Sequence, residues 1–315
     1  MEKTINASEV IRDARPEIKS STVRQYEVQL NQLKKMFNTD NYKFLNDFDA
    51  VVEKLQDKHF TTQRNFYNSI IVLLLALDYD KELIDKYSKL RDELNEQYIK
   101  SNEGNNKISE KQAPNFATME EIDGMLKSME TEIKNKRLKS KGDLTGKEKE
   151  LYMMYVVYQM LKHIPTRNDI AGMVITTPIN YPKQPKDKNY LVVGRDIMYY
   201  MLNDYKSDKT YGKDKKLIVP VSLSRILRPF IRATGKKSGD VLLTTSTGNA
   251  LSRNVLSQKL LKTSKKYMGK GVGSTMMRKS VVSHEMGPAK KKQEELADKM
   301  QHSVATQSAI YNKEH

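Results

Sequence analysis

Four side chains in the C-terminal two-thirds of this 315-residue chain stand out by type and spacing. Tyr311 closes the segment "MQHSVATQSAIY", with His302 nine residues before it. Arg278 lies in "GVGSTMMRKSVVSHEM", a predicted helix opened by glycines and by Ser274 or Thr275. Arg167 follows Pro165 in "LKHIPTRNDIAGM", just past a strongly apolar helix. A phenol can attack phosphorus and hold the product covalently, and arginine forks match the nonbridging oxygens of a phosphate. Histidine or lysine can supply a hydrogen bond to the phosphate or a proton to a departing oxygen. Together these types suit breakage of a phosphodiester without a metal. Each has a plainer reading when taken alone: Tyr311 is one of seventeen tyrosines, and Arg278 could be a surface charge. Arg167 could pair with Asp169 alone.

Charge narrows the substrate class. The net charge is +16, and it is unevenly placed. Residues 1–111 carry 18 basic and 19 acidic side chains, whereas residues 112–315 carry 37 and 20. From Ser252 to Lys292 there are eleven basic side chains and one acidic, Glu285. An excess of that size on one region creates a field suited to a polyanion. With no cysteine, the chain can have no disulfide, thiolate nucleophile or cysteine-built zinc site. There is no HExxH pattern, no Gly-rich phosphate loop and no internal repeat, so neither a metal nor a cofactor is expected. The apolar run "YNSIIVLLLALDY" is too short to span a bilayer and reads as a buried helix, and the opening residues lack the apolar core of a signal peptide. No membrane partner is expected.

The elements that must position these residues follow from periodicity. Residues 21–37 carry Val23, Tyr26, Leu30 and Leu33 at helical spacing, with Ser20 or Ser21 as caps. A second short helix is predicted in 44–59 and a third through the apolar run, capped by Thr61 or Thr62. A fourth is predicted from about Asp80 to Asn102. The polar "SNEGNNKISEKQAPNFA" breaks the pattern as a linker would. Beyond it, Thr118 and Glu121 have capping-box spacing, and a second helix stops near Pro165. "DIAGMVITT", "NYLVV", "DIMYYMLNDY" and "KLIVPV" read as strands, the last two flanking the charged turn "KSDKTYGKDK". From Ser222 onward four more helical stretches are predicted, the last two being "GSTMMRKSVVSHEM" and "KKKQEELADKMQ". The expected fold class is therefore mainly α in an N-terminal domain and α+β, with a small antiparallel sheet, in a C-terminal one.

Residues from about Thr118 to Tyr311 resemble the catalytic domain of the tyrosine recombinases, or phage integrase family. "LKHIPTRNDIAGM" is similar to that family's first arginine box and "STMMRKS" to its second. "MQHSVATQSAIY" is similar to its His…Tyr ending, including the nine-residue spacing. The resemblance implies Tyr311 as nucleophile, Arg167 and Arg278 as phosphate clamps, and His302 as a hydrogen-bond donor to the phosphate. It also implies a proton-donating lysine on the hairpin "MLNDYKSDKTYGKDKKLIVPV", for which Lys206 is favoured over Lys209. Three positions depart from the family pattern. Thr275 stands where a histidine usually precedes the second arginine by three residues, keeping only a hydroxyl to hydrogen-bond a phosphate oxygen. Gln301 stands where glycine usually precedes the histidine, and Asp169 follows the first arginine by two residues where three is usual.

Residues 1–111 resemble the family's SAM-like core-binding domain, with 112–117 as linker and 118–315 as catalytic domain. The resemblance implies site-specific recombination, such as integration or excision of a viral or mobile element. Double-stranded DNA would be the partner, bound by a homotetramer on paired sites that self-associates more weakly without DNA. The location would be intracellular, wherever the target DNA lies. Two alternatives share the active-site chemistry or the fold: a type IB topoisomerase, and a catalytically weakened DNA-binding protein.

Overall fold

The computed structural model describes residues 5–102, 108–110, 112–301 and 304. It divides into two compact units, Met1–Lys107 and Ile108–His315. His302 and Tyr311 lie outside the described residues.

Among its described residues the first unit is all helical: α1 (Ala7–Ala14), α2 (Ser20–Met36), α3 (Phe48–Leu55), α4 (Phe60–Ala76) and α5 (Lys81–Asn102). The apolar run forms α4, which buries Phe66, Tyr67 and every residue from Ile70 to Leu74 against α1, α2 and α5. Tyr87 of α5 is fully buried and its hydroxyl donates to the Leu45 carbonyl at 2.9 Å, so the ring enters the core with its polar end paired. The short helix expected in 44–59 is present as α3, whereas the expected caps of α2 and α4 are not: α2 starts at Ser20, so Ser20 and Ser21 lie inside it and Lys19 precedes it without a side-chain cap. The 44–59 segment holds a 3-10 turn (Lys43–Asn46) and then α3, whose first turn is capped by Asp47 accepting from the Ala50 amide at 3.1 Å. Neither Thr61 nor Thr62 caps α4. The helix starts at Phe60, which places both threonines inside its first turn, and the cap is His59, whose Nδ1 accepts from the Thr61 amide at 3.3 Å.

The second unit is mainly helical around one four-stranded sheet. Its elements are α6 (Met119–Asn135), α7 (Gly146–His163), β1 (Val174–Thr176), β2 (Tyr190–Val193), β3 (Met198–Leu202), α8 (Asp208–Tyr211), β4 (Lys215–Ile218), α9 (Val221–Ala233), α10 (Arg253–Met268) and α11 (Ser274–Lys299). The α+β class matches expectation. The sheet order is β1-β2-β3-β4, with β2-β3-β4 antiparallel, Leu191 opposite Tyr200 and Tyr200 opposite Leu217. β1 joins parallel to β2, so the sheet is mixed and not purely antiparallel. A Pro-containing crossover from Thr177 to Asn189 makes the parallel return.

Helix α7 is the axis of this unit: it buries Tyr152 to Tyr158, Met160 and Leu161 and packs against α6, α9, α10 and α11. Both α6 and α7 begin with capping boxes, Thr118 with Glu121 and Thr145 with Glu148. The C-terminal helices read from the sequence as two are one 26-residue helix, α11, running through Gly287 and Pro288. Proline there leaves the His284 carbonyl without its helical donor. The stretch from Val282 to Ala289 is exposed, so water can satisfy that group and the helix continues.

Candidate active site

Arg167 is positioned by a turn that is locked from beneath. Helix α7 ends at His163, and Arg167 precedes a 3-10 turn, Asn168–Ile170, in extended backbone. The Asn168 amide donates to the Arg253 carbonyl at 3.0 Å and to the Ser257 hydroxyl at 2.7 Å, which pins the turn to the start of α10. Asp169 and Ile170 are buried while Arg167 is exposed. The chain thus anchors its neighbours and leaves the guanidinium outward.

Arg278 comes from the second turn of α11, whose start is fixed by a buried polar knot. The Tyr158 hydroxyl lies 2.6 Å from the Leu260 carbonyl and 3.0 Å from that of Val272. Ser264 accepts from the Val272 amide at 2.7 Å, while its own hydroxyl lies 3.0 Å from the Leu260 carbonyl. One turn later, Ser280 donates to the Ala117 carbonyl at 2.6 Å. The residues read as a linker are therefore seated on this helix: Asn115 accepts from the Gly271 amide at 3.0 Å, and Ala117 is fully buried. Arg278 is half-buried, with Nη2 donating to the Thr275 hydroxyl at 3.3 Å and Nε buried without a partner. Thr275 itself is exposed.

The two arginines act on each other. Burial pushes the Arg278 guanidinium below its usual pKa, the like charge of Arg167 pushes the same way, and Asp169 opposes both. Asp169, 6% exposed, is pushed above the usual carboxylate range by burial, against the pull of Arg253, Arg167 and Arg278 in that order. Asp204 adds to the upward push. Among the described residues neither Arg167 nor Arg278 has a salt-bridge partner within 4 Å, and the carboxylate that both sense, Asp169, is paired at 3.4 Å with Arg253. Two guanidiniums gathered with so little local neutralisation form a place for an anion.

Lys206 is exposed in the turn after β3, and Lys209 is exposed in α8. The segment that carries them is tied to the arginine turn by two residues that sequence reasoning missed. Asn189, almost fully buried, uses its whole amide group. Its nitrogen donates to the carbonyls of Asp169 and Asp204, both at 2.8 Å, and its oxygen accepts from the Asn203 and Asp204 amides at 2.8 and 2.9 Å. Arg253, the first residue of α10, places Nη2 at 2.7 Å from the Asp204 carbonyl, 3.1 Å from its carboxylate and 3.4 Å from that of Asp169. Nothing in the local pattern of "LSRNVL" or "DKNYL" could have revealed these links, because each joins segments far apart in sequence. Arg167, Arg278 and Thr275 are thus brought together, with the Lys206 turn anchored to the same group.

Gln301 marks the approach to His302 and Tyr311 in the chain. It closes the end of α11 with φ +55°, a left-handed conformation that glycine adopts without strain, at the position where the resembling family carries glycine.

Among the described residues no group of acidic, histidine or cysteine side chains could hold a metal ion, and no helix is long and apolar enough to cross a membrane. No protein-family model matches the chain, and no curated protein matches it. Among solved structures, the chain is similar to the crystal structure of XerA recombinase at 12% identity and a TM-score of 0.36, covering 98% of this chain and 93% of that one.

Proposed function

We propose that this chain is a tyrosine-type DNA recombinase that cleaves and rejoins double-stranded DNA through a 3′-phosphotyrosyl intermediate. One observation carries the reading: Arg278, half-buried with its Nε unpartnered, and Arg167, exposed on a turn distant in sequence, lie within electrostatic reach of each other and of the buried Asp169. The +16 charge, concentrated in the same unit, supports a polyanionic substrate.

In this reading Arg167 and Arg278 clamp the nonbridging oxygens of the scissile phosphate, and His302 adds a hydrogen bond. The Tyr311 oxygen attacks phosphorus, and Lys206 protonates the departing 5′ oxygen. Lys209, next in α8, is the alternative donor. Thr275 offers a hydroxyl where the resembling family offers an imidazole, so the phenol proton of Tyr311 passes to water. Attack by the 5′-hydroxyl of a partner strand reverses the step, so the bond is conserved without an external energy source. Residues 1–111 serve as a helical DNA-binding domain, and 118–315 as the catalytic domain. Four protomers assemble on paired sites, wherever the target DNA of the viral or mobile element lies.

Mapping the covalent end tests this. The protein is incubated with nicked duplexes derived from the element's own ends, and the adduct is treated with polynucleotide kinase. A free 5′-hydroxyl that accepts label, with protein on the 3′ phosphate, is the expected result. Protein on the 5′ end would overturn the assignment.

A further inference from the structure

Two bridges join the arginine turn to the segment carrying Lys206, and they differ in kind. The Asn189 bridge is neutral and buried, and it fixes backbone. The Arg253 bridge is charged, is 46% exposed, and reaches the side chain of Asp204 as well as its carbonyl. Its origin is firm. Leu256 and Leu260 of α10 are fully buried, and the carbonyl of Arg253 itself is held by Asn168. A guanidinium projecting from that fixed point holds two acidic groups that would otherwise repel each other, one beside Arg167 and the other two residues before Lys206.

We infer that Arg253 is a positioning residue that clasps the 203–214 segment to the Arg167 turn and so places Lys206 for proton delivery. The inference rests on the proposed reading of Lys206 as proton donor. In the step concerned, the bond from the Tyr311 oxygen to phosphorus forms and the bond from phosphorus to the 5′ oxygen breaks. The proton on the Lys206 ammonium moves to that 5′ oxygen. A sulfur in place of the bridging 5′ oxygen is a far better leaving atom and departs without the proton. A defect in proton delivery is therefore repaired by sulfur, whereas a defect in phosphate binding or folding is not.

The experiment compares the wild type with Arg253→Ala, Arg253→Lys and Lys206→Ala, on nicked duplexes bearing oxygen or sulfur at the mapped cleavage position. Arg253→Ala is expected to cleave the oxygen substrate at least about ten-fold more slowly and to recover most of that loss with sulfur, as Lys206→Ala does. Arg253→Lys keeps the charge but, as a point donor, spans the two carboxylates less well, and should fall between. Equal losses on both substrates for Arg253→Ala, while sulfur rescues Lys206→Ala, would overturn the role of Arg253 alone. Failure of the wild type to form any adduct would overturn the proposed function and this role with it. Hydrogen exchange on the free protein reads the clasp without catalysis. Faster exchange in 203–214 with α7 unchanged is expected for Arg253→Ala, and unchanged exchange in 203–214 would overturn the clasp.

Discussion

Arg278 holds a half-buried guanidinium against the like charge of Arg167, with one hydroxyl and a buried carboxylate for company. In the proposed reading such a group serves an incoming phosphate more than the fold. Its value should appear mainly where negative charge builds on the phosphate oxygens. Arg278→Ala is expected to lose about 3–4 kcal/mol of transition-state stabilisation, the scale of one lost oxyanion donor, with a much smaller loss in duplex affinity. Rate and affinity measured on the same nicked duplex check this, and equal losses would make Arg278 a binding contact only. At this scale the sequence was informative about type and poor about support. Arg167, Arg278 and Thr275 were found by their neighbours in the chain, and the structure brings them together. Arg253 and Asn189 were missed, because their significance comes from partners such as Asp204 and Asp169 that no local pattern links to them.

The elements behind the site depend on their caps and on one polar knot. In α7 the Glu148 carboxylate is held down to about 2, first by the Lys141 ammonium at 2.7 Å and then by the Thr145 amide at 2.8 Å. A carboxylate whose folded pKa lies below its unfolded value of about 4.3 stabilises the fold above that value. The contribution is lost as pH falls toward about 2. Glu148→Gln should therefore lower the urea midpoint of the second unit at neutral pH, and the gap to wild type should close as pH approaches 2. A gap independent of pH would contradict the assignment. Tyr158→Phe tests the knot beneath α11: removing a buried donor from two carbonyls should cost about 1–3 kcal/mol in urea unfolding. A change under a few tenths would show that the start of α11 is held elsewhere. Helix periodicity made most of these elements legible, including the Thr118 capping box. It failed at α11, where Gly287 and Pro288 read as a break although solvent exposure lets the helix pass through. It also failed to show that β1 pairs parallel with β2, since pairing direction is a property of the crossover and not of the strand.

Across the whole molecule, the excess positive charge lies in the second unit while the first is nearly neutral, so in the proposed complex most phosphate contacts would come from the second. Duplex affinity should therefore fall steeply with salt, with a log–log slope of roughly −0.9 per phosphate contacted. A flat dependence in an equilibrium titration would refute the electrostatic reading. The catalytic reading goes further, because it requires that one tyrosine among seventeen become covalently joined to DNA. That residue was legible from its spacing to His302 together with the two arginines upstream, and it lies outside the described residues. The decisive measurement is a suicide-substrate trap in which a short strand diffuses away after cleavage at a nick. Wild-type protein should accumulate a denaturant-resistant, protease-sensitive adduct with DNA, and Tyr311→Phe should form none while binding the duplex as tightly. An adduct that persists in Tyr311→Phe, or a wild type that forms none on the element's own ends, would contradict the account.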